Sequence, residues 1–72
     1  MIMYNGHKNW NHWNVSLWIN NDEGLYRFAL DCISQARNRD EAARMMLESL
    51  PAETPDGAPY SVSAIRAAMV GM

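Results

Sequence analysis

Residues 13–19, WNVSLWI, decide the fold class, because they satisfy two patterns at once. Trp13, Val15, Leu17 and Ile19 alternate with Asn14, Ser16 and Asn20, the period-two pattern of a half-buried strand. Trp18 breaks that alternation. At helical spacing, Trp10, Trp13 and Leu17 form one stripe, while Val15, Trp18 and Ile19 form another on the far side. A lone strand must pair its backbone groups, and only the short Met1–Tyr4 segment offers a partner. The helix is therefore preferred, and a helix apolar on two sides is expected to lie centrally, covered on both flanks.

Working outward, residues 1–9 read as an irregular lead-in with Asn5-Gly6 as a turn signal. Downstream, Asn21 can cap a second helix with Asp22 and Glu23 in its first turn, where carboxylates suit the helix dipole. Leu25, Phe28, Ala29, Cys32, Ile33 and Ala36 then recur at helical spacing through Arg37. Asn38 and Asp40 offer caps for a third helix from Arg39 to about Leu50. Its inner stripe is Ala43, Met46, Leu47 and Leu50, with Glu41, Arg44 and Glu48 paired along the outside. Residues 51–60, PAETPDGAPY, hold all three prolines and form a loop. Ser61 or Ser63 opens a short last helix with Val62, Ile65, Ala68 and Met69 facing inward. The expected fold is all-α: a single domain over residues 1–72, with about four short helices around one small core and no internal repeat.

A chain of 72 residues buries only about 60% of the surface its unfolded form exposes. With 49% apolar residues, 19% charged residues and a net charge of −2, it is a folded domain and not a disordered segment. Six basic residues face eight acidic ones and no basic run occurs, which argues against direct binding of nucleic acid. One cysteine, Cys32, excludes an intramolecular disulfide. No signal-peptide pattern and no membrane-length apolar run are present, so a soluble protein of a reducing compartment is expected.

Candidate chemistry is sparse. His7 and His12 lack the further ligands a zinc site needs, and exposed or partly packed histidines are the plainer reading. Cys32 lies on the apolar stripe of the second helix and reads as a small buried hydrophobe. The serines sit at caps and turns, without a nucleophile elbow or a glycine-rich phosphate loop. Asp22 and Glu23 are adjacent on a helix and so point in different directions, which does not build a paired-carboxylate site. No catalytic, cofactor-binding or metal-binding residue is assigned, and the chain is not read as an enzyme.

What remains is contact with a partner. The stretch from Lys8 to Tyr26 contains all three tryptophans and five of the seven asparagines. Core is the default for at least two of the tryptophans. A two-faced helix in a thin protein can leave Trp10 or Trp18 partly exposed, and an uncovered tryptophan rimmed by amides resembles a binding hot spot. Asn9, Asn11, Asn20 and Asn21 can cap or form turns. Asn14 falls inside an apolar stripe, where its amide needs partners such as backbone carbonyls of the lead-in.

The positions Tyr4, Asn5, Gly6, Trp13, Leu17, Trp18, Asn21, Asp22, Glu23 and Gly24 resemble the N-terminal pattern of a family of small proteins from phages and mobile elements. The match covers about a third of the chain. That family has no established general activity, so the resemblance implies a setting: phage or plasmid genes expressed in a host bacterial cytoplasm. Small, acidic, cysteine-poor domains in that setting resemble anti-CRISPR proteins, which block a host effector complex without chemistry. The expectation is an inhibitor of a host type I CRISPR effector complex that excludes target DNA. Trp10, Trp18, Asp22, Glu23, Glu48, Glu53 and Asp56 are its candidate partner-binding residues. The alternative is a self-associating phage or plasmid accessory protein with no defence target. Monomer and weak homodimer both remain open, and no membrane partner is expected.

Overall fold

The computed structural model describes residues 9–72. The lead-in as far as Lys8, with its Asn5-Gly6 turn signal and His7, lies outside the described residues. Four helices follow in order: α1 (Trp10–Asn21), α2 (Glu23–Gln35), α3 (Arg39–Glu48) and α4 (Val62–Ala68). The fold is all-α, as the helical spacing predicts, and residues 13–19 are helical. Helix satisfies the backbone groups of this segment locally, where a strand would need a neighbour.

Each helix is started by a side chain that accepts a hydrogen bond from an otherwise orphaned amide. Asn9 accepts from the His12 amide at 3.0 Å, Asn38 from the Glu41 amide at 2.9 Å and Ser61 from the Ala64 amide at 3.1 Å. Asp22, and not Asn21, caps α2 by accepting from the Leu25 amide at 3.0 Å. Asn21 instead ends α1, where its side-chain amide donates to the Leu17 carbonyl at 2.8 Å. Asp22 also closes α1, its amide donating to the Trp18 carbonyl at 2.9 Å. One residue thus joins two helices.

α1 packs on α2 and α4, and α3 packs on the same two helices, so the four form a ring around the core. That core is built from Val15 and Ile19 of α1, Ala29 and Cys32 of α2, Ala42, Ala43 and Met46 of α3, and Ala64, Ile65, Ala68 and Met69 around α4. The alanines let the helix axes approach closely while the longer side chains fill the centre. Ala42 joins the inner stripe of α3, whereas Leu47 and Leu50 are only partly buried. α3 stops at Glu48, short of Leu50, because the Ser49 and Leu50 amides bond three residues back and tighten the last turn.

Two packing expectations are corrected. Among the described residues, α1 is not covered on both flanks: its inner side presents Asn14, Val15 and Ile19, while Trp10 and Leu17 on the outer stripe are 38% and 39% exposed. With α2 and α4 as its helical neighbours, the ring covers one side of α1. Nor do two tryptophans enter the core, since Trp13 and Trp18 are half-buried and Trp10 is exposed. On the surface of α3, Glu41 pairs back with Arg37 at 3.1 Å, so the expected pairing along that helix with Arg44 and Glu48 is not its arrangement.

Candidate functional site

The proline-rich segment is more ordered than a plain loop. The Gly57 amide donates to the Thr54 carbonyl at 2.9 Å, closing a turn with Pro55 second and Asp56 third. Gly57 has φ of +92°, a region open to glycine at little cost. The Thr54 amide donates to the Ala58 carbonyl at 2.8 Å and the Tyr60 amide to the Ala52 carbonyl at 3.0 Å, with Glu53 bridged antiparallel to Pro59. This is a miniature hairpin with a three-residue tip closed by a glycine bulge.

The tip docks on α1. Asp56 accepts from the Asn14 side-chain amide and from the Trp18 indole N–H, each at 2.9 Å. Asn14 and Trp18 are four apart and therefore share a helix face. The Thr54 hydroxyl donates to the Asn14 side-chain oxygen at 2.6 Å and accepts from the Ala58 amide at 3.1 Å. The buried Asn14 amide thus finds its partners in the hairpin; the lead-in carbonyls suggested by the sequence lie outside the described residues. The two hydrogen bonds to its charged form hold the Asp56 carboxyl below the usual aspartate range, that from Asn14 being the larger cause. At the base of the hairpin, burial and then the charge of Asp22 push the Tyr60 phenol up.

Beside this contact lies an open groove of about 220 Å³, lined by Leu17, Trp18, Asn21 and Asp22. The structure brings Trp18, Asp22 and Asp56, three of the candidate partner-binding residues, to this end of α1. Glu53 belongs to the same hairpin. Glu23 follows Asp22, but its carboxylate meets Arg27 at 2.6 Å. Trp10 lies at the opposite end of α1, about 12 Å away along the axis at the usual helical rise. Glu48 ends α3, which does not contact α1. The candidates therefore do not form one continuous surface.

Sequence reasoning singled out Asn14 as a buried amide in need of partners but missed Thr54, whose hydroxyl supplies one of them. The buried-amide signal at Asn14 was legible, whereas the identity of its partners was not. Elsewhere, His12 Nε2 lies 3.0 Å from the Ser63 hydroxyl and ties α1 to α4. Cys32 is buried, and burial followed by the neighbouring Asp31 charge pushes its thiol up, away from the nucleophilic thiolate. Among the described residues, no group of three His, Cys, Asp or Glu side chains is placed to hold a metal ion, and no helix is long and apolar enough to cross a membrane.

No curated protein and no solved structure matches the chain. One family model does, and it spans residues 1–72. The chain belongs to DUF7249, a family of unknown function.

Proposed function

We propose that this chain is a non-catalytic inhibitor from a phage or mobile element that binds a host type I CRISPR effector complex in the bacterial cytoplasm and excludes target DNA. The observation that carries this reading is the groove at the end of α1, a notch lined by Leu17, Trp18, Asn21 and Asp22 whose Trp18 indole is held by Asp56. Carboxylates on a fixed surface suit a basic DNA-binding face, and a notch with apolar lining residues supplies contact area that a net charge of −2 alone would not. The resemblance of residues 4–24 to a mobile-element pattern supplies the setting.

The test is a gel shift with purified type I complexes from candidate hosts. Stoichiometric protein is expected to abolish target-DNA binding by one of them. Undiminished DNA binding by every complex overturns the proposal.

A second reading, self-association, is favoured by exposed Trp10, Leu17, Tyr26 and Leu30 on α1 and α2. Light scattering over a range of concentrations separates the two, since a strict monomer removes it.

A further inference from the structure

The groove beside Trp18 has a specific chemical character. Two apolar residues, Leu17 and Trp18, line it together with Asn21, whose amide donates to the Leu17 carbonyl, and Asp22, whose Oδ1 accepts from the Leu25 amide. Asp56 holds the indole of Trp18 through its Nε1–H. Among the described residues neither Asp22 nor Asp56 forms an ion pair. A second groove, lined by Asn38, Asp40, Glu41 and Arg44, offers the opposite case. There Asp40 is matched by Arg66 at 2.8 Å and Glu41 by Arg37 at 3.1 Å, so its acids are already neutralised from within the chain.

The matching occupant has an aliphatic stem, a flat cationic head and several donors. Arginine combines these: its stem packs on apolar walls, and its guanidinium stacks on an indole and donates to carboxylates as a planar fork. Lysine presents a compact, strongly hydrated point charge that matches the indole less well.

We infer that the groove formed by Leu17, Trp18, Asn21 and Asp22 receives an arginine side chain from the basic surface of a partner protein. This names the partner chemistry of the proposed site and rests on that reading.

The probe is a tetra-arginine peptide titrated into the full chain at low salt, followed through the Trp18 indole Nε1–H resonance. A saturable shift is expected, with tetra-lysine binding about threefold more weakly. Asp22→Asn keeps a competent helix cap and is expected to weaken tetra-arginine about threefold. Asp31→Asn on exposed α2 removes the same charge away from the groove and should leave binding unchanged. Equal losses from the two variants would mean general attraction to an acidic chain and would overturn the inference, as would a Trp18 resonance that does not move. If arginine binds at the groove while no effector complex is inhibited, the inference stands and the inhibitor reading falls. If an effector complex is inhibited while Trp18 ignores the peptide, the inference alone falls.

Discussion

α2 and α1 are of similar length and adjoin at Asp22, yet they are held in place by different physics. α2 has one apolar face, with Ala29 and Cys32 buried and Leu25, Phe28 and Ile33 packed against the core. Its other side is solvated, exposing Tyr26 and Leu30 along with the Glu23–Arg27 pair. α1 has apolar residues all round, buries Val15 and Ile19, and places a fully packed asparagine between α1 and the hairpin. Its orientation therefore depends on three side-chain hydrogen bonds to Thr54 and Asp56 as well as on apolar area. Apolar contacts tolerate small shifts, whereas a buried amide with two named partners admits one register.

The comparison can be broken most severely from its apolar side. Ile65→Ala empties the shared core below both helices and is expected to cost about 2–5 kcal/mol in chemical denaturation, enough to unfold much of so small a protein. Asn14→Ala comes next. It strands the Thr54 hydroxyl and removes the main donor to Asp56, for about 1–3 kcal/mol. It should also loosen the hairpin amides in hydrogen exchange while those of α2 and α3 hold.

Acid sharpens the contrast further. Because the Asp56 carboxyl is depressed in the folded state, its contribution is present above the ordinary aspartate pKa of about 3.9 and is lost as pH falls through its lower folded value. Asp56→Asn retains an acceptor oxygen, so its thermal midpoint should fall less between pH 5 and 2 than that of the parent (both approximately bounding that window). Glu41 is depressed in the same sense by the Arg37 amide and then its guanidinium, so Glu41→Gln tests the α3 side with the same titration.

Gly57→Ala is expected to cost about 1 kcal/mol through backbone strain. A Cβ there meets nothing within 4 Å, and only the positive φ opposes it. The smallest effect is at the α2 surface: Arg27→Ala breaks an ion pair whose partners are both 76% exposed and should move stability by less than about 0.5 kcal/mol.

The same division explains what the sequence revealed. Helices with local signals were legible: the α2 stripe, the Asn38 and Ser61 caps and the inward Ile65, Ala68 and Met69 all follow from spacing within a turn or two. The α2 cap slipped by one residue because Asn21 and Asp22 are both competent, and Asn21 is drawn back to the Leu17 carbonyl. The site was legible in its parts and not in its assembly. Trp18, Asp22 and Asp56 stand out as residues, but Asp56 meets Asn14 and Trp18 across 42 and 38 positions of chain. No periodicity reports a contact at that separation. The tryptophan placement was misjudged for a related reason: hydrophobicity says that a ring prefers cover, while the number of neighbouring helices decides whether cover exists.

Asp22 carries one last consequence. Where two helices meet through a loop, each can unravel from its own end at small cost. Here the amide of one residue closes α1 while its side chain and carbonyl open α2, accepting from the Leu25 and Tyr26 amides. The facing ends of α1 and α2 are therefore one cooperative unit. Fraying is expected at the outer ends, Trp10 and Gln35, while the notch beside Trp18 sits where the two helices are joined.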